Sequence, residues 1–318
     1  MQSPANSGSE RTLVSSQRQI GRTKSGIHII FDVGMNNGDD SAHYLSKGYQ
    51  VVAIEANPIL VERACARFQK EIAAGQIVIE CVGIVDQPGK IPFWINDERD
   101  VFSSFDRARA SRNRMKCHPI EIECVTFDTL LKKYGVPYYL KLDAEGAEPY
   151  CLKHLHSVSL PEYVSVEAEK LEYLFLLWQL GYRQFKIADQ MRHNSSFPDF
   201  KNVTIFSRSA KRVCWYADRF KNRFSRVRFA RGCSGPFGDE TSGTWQTFEE
   251  VAFNWLHLHF GHYRHGSLNR FSWYDFHAKA SPTPTDTARV ISHPGRTHFG
   301  LENGFGWHRV SNPGKEIL

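Results

Sequence analysis

The chain has 318 residues, 41% of them hydrophobic, and a formal net charge of +6. That length allows one large domain with a sizeable core, and no apolar run reaches the roughly 18 residues that a membrane-spanning helix needs. Seven scattered cysteines make neither C-x-x-C pairs nor a disulfide framework, so a reduced, cytoplasmic protein is expected.

Residues 1–25 are polar and basic without an apolar core, which reads as a flexible tail rather than a secretory signal. Ile27 to Val33 then forms an apolar run suited to a buried parallel strand. It breaks at Gly34, a polar helical segment begins near Asp39, and a second apolar run from Val51 ends on Glu55. This strand–loop–helix–strand unit is shaped for a nucleotide-like ligand. Gly34 and Gly38 admit close approach of the backbone, the helix start offers free N–H groups to a carboxylate, and Glu55 is placed to accept from both hydroxyls of a ribose. The spacing Asp32-x-Gly34-x-x-x-Gly38 lacks the third glycine of a dinucleotide loop. It suits a ligand with an amino acid moiety, such as S-adenosylmethionine.

Further along, Ile59 to Ala74 has helical spacing and Ile77 to Val82 is a third strand. A turn at Asp86–Gly89 leads to a strand at Ile91–Ile95. Residues 96–118 read as a polar, basic loop over the ligand face, and Ile120 to Val125 as a half-exposed edge strand. Thr126 caps a short helix ending near Tyr134. Tyr138–Asp143 and Tyr163–Glu167 are the fourth and fifth core strands, and a helix from Lys170 stops at Gly181. Tyr182–Ile187 and Val203–Phe206 then complete seven strands, the last pair including an antiparallel one.

Four blocks occur in order: Asp32-Val33-Gly34, Ile54-Glu55-Ala56-Asn57-Pro58, Thr126 to Leu131, and Leu140-Lys141-Leu142-Asp143-Ala144-Glu145-Gly146-Ala147-Glu148. Together they resemble the FkbM family of S-adenosylmethionine-dependent methyltransferases, over roughly residues 27–207. The resemblance implies a Rossmann-like, doubly wound seven-stranded α/β sheet and S-adenosylmethionine as cofactor. It also implies O-methylation of a sugar, glycan or polyketide-like hydroxyl.

Ligands of open parallel sheets bind outside the carboxyl ends of the strands. The expected cofactor residues are therefore Asp32, Gly34, Asn36, Asn37, Gly38, Glu55, Ala56, Asn57, Gly83, Ser104 and Asp143. Asp32 would serve equally as an acid that staples its loop. Asp143, Glu145 and Glu167 are the candidate catalytic carboxylates, because a hydroxyl acceptor must lose its proton during methyl transfer. Glu145 and Glu148 would otherwise load the start of the next helix. A divalent cation stays open as a second cofactor, since Glu167-Ala168-Glu169 could bring a second carboxylate near Asp143, but the sequence does not show that the two converge.

Beyond residue 208 the composition turns basic, aromatic and glycine-rich. Val213, Tyr216, Phe220, Phe224 and Val227 fit one helix face, and Trp245, Phe248, Ala252, Trp255 and His259 a second. Residues 209–318 are thus expected to form a helical and loop extension to a methyltransferase domain at 26–208. This extension would face the substrate or a second copy of the chain. Ten Lys and Arg residues between Lys201 and Arg231 favour an acidic or phosphorylated small-molecule or glycan acceptor. An RNA methyltransferase and a non-catalytic binding module remain alternatives, although no nucleic-acid motif is present. The histidines at 257, 259, 262 and 265 read as polar packing rather than a metal site.

Overall fold

The computed structural model describes residues 26–157, 159–190, 233–264 and 274–281. The strand expected at 203–206, the helix expected at 213–227 and the basic stretch around them lie outside these residues, as do the two terminal tails.

The first half alternates strand and helix: β1 (Ile29–Val33), α1 (Asp39–Ser46), β2 (Gln50–Glu55), α2 (Pro58–Arg67), α3 (Gln69–Ala73) and β3 (Ile77–Cys81). The helix expected over 59–74 breaks at Phe68, which is 4% exposed and lies against Gly38. Next come β4 (Gly83–Ile84), β5 (Gly89–Asn96), α4 (Arg107–Ala110), β6 (Cys117–Val125), α5 (Phe127–Tyr134), β7 (Tyr139–Leu142), α6 (Glu148–Leu152), β8 (Tyr163–Glu167), α7 (Leu171–Leu180) and β9 (Gln184–Asp189). Helix α8 (Phe248–Arg264) and strand β10 (Tyr274–Lys279) complete the described chain. Thr126 accepts from the Thr129 amide to cap α5, and Gly181, at φ +112°, ends α7, both as expected.

Seven strands form a mixed sheet in the order β3-β2-β1-β7-β8-β10-β9. All neighbours are parallel except β10, which runs antiparallel between β8 and β9. The fold is the doubly wound, Rossmann-like α/β sheet that the sequence predicts, but its antiparallel strand is Tyr274–Lys279. That segment was assigned to the C-terminal extension, so part of 209–318 is built into the sheet itself. A correction also applies to β6. It is the middle strand of a separate small sheet, β4-β6-β5, not an edge. Its alternating burial reflects one wet face, a pattern that an edge strand and a one-sided central strand share.

The segment 97–116, expected as a plain loop, is held from its base. The Asn96 side chain accepts from the amides of Glu98 (2.9 Å) and Arg99 (2.6 Å) and donates to the Ala110 carbonyl (2.6 Å). A backbone bridge joins Trp94 to Ser104.

The sheet has two unlike faces. One is apolar throughout: Phe31, Val33, Leu140, Leu142, Val164, Val166 and Phe276 pack under α5, α6, α7 and α8. The other is aromatic towards the amino ends of the strands, where Tyr44, Tyr139 and Tyr163 surround Phe237. Phe237 stacks on Tyr139 at 3.9 Å and 6°. Asp239 beside it accepts from the Tyr163 hydroxyl (2.9 Å), the Trp245 indole (2.7 Å) and Lys279 (2.7 Å). These donors hold the Asp239 carboxyl down at about 2. The segment 233–241, which belongs to the expected helical and loop extension, is therefore core-forming. Phe237→Ala should cost about 3–5 kcal/mol in urea denaturation; a loss below about 1 kcal/mol would contradict this packing.

Candidate active site

Towards the carboxyl ends of the strands the second sheet face turns polar, and there a cavity of about 710 Å³ opens. Its floor is the turn after β1. Gly34, at φ +77°, lies so close to β7 that a Cβ there would sit 1.8 Å from the Asp143 carbonyl oxygen. Only glycine fits. The amides of Gly34 and Met35 both donate to the Ile54 carbonyl, at 3.0 and 3.1 Å. Asn36 adopts a left-handed conformation (φ +51°), which asparagine tolerates, and its amide donates to Glu55 Oε2 at 2.8 Å. The other Glu55 oxygen accepts from the Asn57 amide at 2.9 Å. Burial raises the Glu55 pKa, and these two amide bonds oppose the rise. Each oxygen keeps a lone pair for a further donor.

Under this turn lies a buried ionic cluster. Asp32 and Lys141 are partners in the β1–β7 register, and Lys141 Nζ is 3.0 Å from Asp32 Oδ1, 3.4 Å from Asp40 Oδ2 and 3.9 Å from Asp143 Oδ2. It also donates to the Gly34 carbonyl at 3.2 Å. Burial disfavours the lysine charge, but Asp32, Asp40 and Asp143 together raise its pKa well above the ordinary value. Ser41 donates to Asp32 at 2.7 Å, and Asp40 accepts from the amides of Ser234 (3.0 Å) and Gly235 (3.2 Å).

Carboxyl groups form the opposite wall. Burial pushes Asp143 up to about 6 against the pull of Lys141, with Glu148, Asp40 and Asp32 adding to the rise. Glu167 is pushed up to about 9, by burial first and then by Asp143, Glu145, Asp275 and Glu148. Glu145, at φ +49°, is paired with Arg112 and lies 3.5 Å from Arg109. Glu148 accepts from the amides of Ala144 and Gly146, both at 2.9 Å, and so fixes the turn that carries Asp143. From the other side, Arg99, Phe102, Ser103 and Phe105 close the cavity.

The cavity brings together Gly34, Asn36, Asn37, Glu55, Ala56, Gly83, Asp143, Glu145 and Glu167 of the expected residues. Four others do not line it. Asp32 is fully buried against Lys141 and Ser41. Gly38 begins α1 with its Cα facing the Phe68 ring. Asn57 turns its side chain to cap α2, accepting from the Ile59 amide at 3.0 Å. Ser104 donates inward to the Glu145 carbonyl (2.9 Å), and its neighbour Ser103 takes the lining position. Sequence reasoning missed Lys141, Asp40, Arg112 and Gln190, which also border the cavity. The signal for Lys141 was a charged residue inside an apolar strand, two positions before Asp143.

The Methyltransferase FkbM domain profile matches residues 32–192, about half of the chain. The protein belongs to the FkbM methyltransferase family. It is accordingly an S-adenosylmethionine-dependent methyltransferase, and the glycine turn, the strand-end Glu55 and the cavity volume fit that cofactor. No curated protein sequence matches this family member. Similar solved structures include StiE O-MT, at 11% identity and TM-score 0.33, covering 80% of this chain and 69% of that one. The [4+2]-cyclase SpnF follows at 9% and 0.32, covering 80% and 75%. Phosphoethanolamine N-methyltransferase 2 of Haemonchus contortus, solved with S-adenosyl-L-methionine, is at 11% and 0.31, covering 80% and 49%. Among the described residues of this methyltransferase, no group of three or more His, Cys, Asp or Glu is arranged to hold a metal ion, and no helix is long and apolar enough to cross a membrane.

The close approach of Gly34 gives a direct test. Gly34→Ala should destabilise the fold by more than about 1 kcal/mol and abolish binding of S-adenosylhomocysteine in calorimetry. Native-like affinity in this variant would show that the turn is not held as described.

Proposed function

We propose that the protein transfers a methyl group to a hydroxyl of a polyhydroxylated acceptor: a sugar, a glycan or a polyketide-like natural product. The observation that carries this reading is the carboxyl wall, where Asp143, pushed up to about 6 by burial, faces the same cavity as the glycine turn. A hydroxyl is a poor nucleophile until its proton leaves, and a positioned base with a pKa near the working pH is the group for that task. S-adenosylmethionine supplies a methyl group on a positively charged sulfur.

In this reading the backbone from Gly34 to Asn37 holds the methionine end of the cofactor, and Glu55 accepts from the ribose hydroxyls. Gly83, Ile84, Leu60 and Phe93 give the apolar surroundings that suit adenine. Asp143 takes the acceptor proton. Glu167, still protonated near neutral pH, donates a hydrogen bond to an acceptor oxygen. Glu145 is held by Arg112 and Arg109 at the rim, where Arg99 lies over the Phe102 ring at 5.8 Å. That arginine suits an acceptor that also carries an acidic or phosphate group.

Calorimetric titration with S-adenosylhomocysteine should give micromolar affinity that falls by at least about tenfold in Glu55→Ala, which loses a charged acceptor. NADH should not bind. With labelled S-adenosylmethionine and a panel of sugar and polyketide acceptors, Asp143→Asn should lower turnover by about 10²–10⁴-fold. Turnover at the native rate in that variant would overturn the assignment of the base.

A further inference from the structure

One carboxyl group near the wall has no part in the scheme above. Asp275, on the antiparallel strand β10, is partnered in register with Glu167 on β8. On the other side of β8, Lys141 and Leu142 of β7 partner Ser165 and Val166. The next position on the same face places Asp143 beside Glu167. Three adjacent strands therefore deliver Asp143, Glu167 and Asp275 as one row across the head of the sheet. Asp275 is 2% exposed and does not line the cavity, but Gln190, which does, donates to its Oδ1. Glu167 stands between the cavity and Asp275.

We propose that Asp275 is a positioning residue of the methyl-transfer site, completing with Glu167 and Asp143 a proton-sharing row that favours the positively charged methyl donor over its neutral product. The proposal rests on the cofactor reading given above. Its physical basis is that three carboxyls set level on neighbouring strands, with Asp275 buried and the other two half-buried, each oppose ionisation of the next. Burial pushes Asp275 up to about 8, Asp143 adds to the rise, and the Gln190 hydrogen bond and Lys141 oppose it. Asp143 stands at about 6 and Glu167 at about 9. The row therefore holds protons at higher pH than free carboxyls do, Glu167 most firmly and Asp143 least.

The surrounding charged groups each have partners of their own. Lys141, on β7, is engaged with Asp32 and Asp40 from β1 and α1. Glu145 is paired with Arg112 and Arg109 of the 97–116 segment, and Glu148 on α6 is bound to backbone amides. A positive sulfur entering the cavity lowers the carboxyl pKa values and expels protons, so its binding tightens as pH rises. The neutral product has no such charge. Methyl transfer thus removes the interaction that held the donor, which favours exchange of product for fresh donor. Asp275 acts through Glu167: its carboxyl delays ionisation of Glu167 and adds charge to the row at high pH.

The test is calorimetry of S-adenosylmethionine and S-adenosylhomocysteine from pH 6 to 9, in buffers of different ionisation enthalpy. The wild-type affinity ratio, donor over product, should rise about tenfold for each pKa unit by which the bound charge shifts the row. Proton release should accompany donor binding and not product binding. In Asp275→Asn, which keeps an acceptor for Gln190, the rise should move to lower pH by about one unit and become smaller. Product affinity should stay unchanged. Glu167→Gln gives a second arm and should remove the upper part of the rise. A flat wild-type ratio, or an Asp275→Asn profile identical to wild type, would overturn the proposal. If neither ligand binds at any pH, the cofactor reading itself fails and takes the proposal with it.

Discussion

The buried contact between Lys141 and Asp32 is the constraint on which the rest of the site depends. Both side chains are almost wholly removed from water, at 3% and 0% exposure. Pairing two charges there adds little net stability, because desolvation offsets most of the Coulombic gain. What the pair supplies is placement. It fixes β1 against β7, the point where the order of strands reverses, and it reaches the Gly34 carbonyl and Asp40 from the same ammonium group. Asp40 in turn anchors the amides of Ser234 and Gly235, so one lysine organises the turn, the first helix and a distant segment.

That organisation explains the division of the second sheet face. Along β7 the inward residues run Tyr139, Lys141, Asp143, and along β8 they run Tyr163, Ser165, Glu167. Aromatic packing at the amino ends excludes water and gives the charged row a low-dielectric backing. The carboxyls at the other end are held above the ordinary carboxylate range. The same alternation that builds the core thus sets the chemistry at its upper edge.

The glycine turn and the strand-end acid of the candidate site were legible in the sequence because each has a local cause. Gly34 and Asn36 need unusual backbone angles, and Glu55 ends an apolar run. The misplacements were also local. Asn57 sits beside Glu55, but its side chain turns to the helix it caps, and Ser104 differs from the lining Ser103 by one step of strand alternation. Strand β10 was illegible for a different reason. Asp275, His277 and Lys279 occupy one face of it, and hydropathy counts them as solvent-facing. Asp275 and Lys279 are accommodated by the Gln190 side chain and by Asp239, partners supplied by other segments that no single strand encodes. Lys141 was hidden in the same way, since its partner lies 109 residues earlier in the chain.

The most direct test of this account is chemical denaturation of Lys141→Met and of Lys141→Met combined with Asp32→Asn, each with and without S-adenosylhomocysteine. The single change leaves a buried carboxylate without its partner and should cost about 3–5 kcal/mol, with loss of ligand-induced stabilisation. Neutralising Asp32 as well should recover a substantial part of the stability without restoring ligand binding. A single variant within about 0.5 kcal/mol of wild type, the range of an ordinary surface substitution, that still gained native stabilisation from the ligand would contradict the central role assigned to this pair.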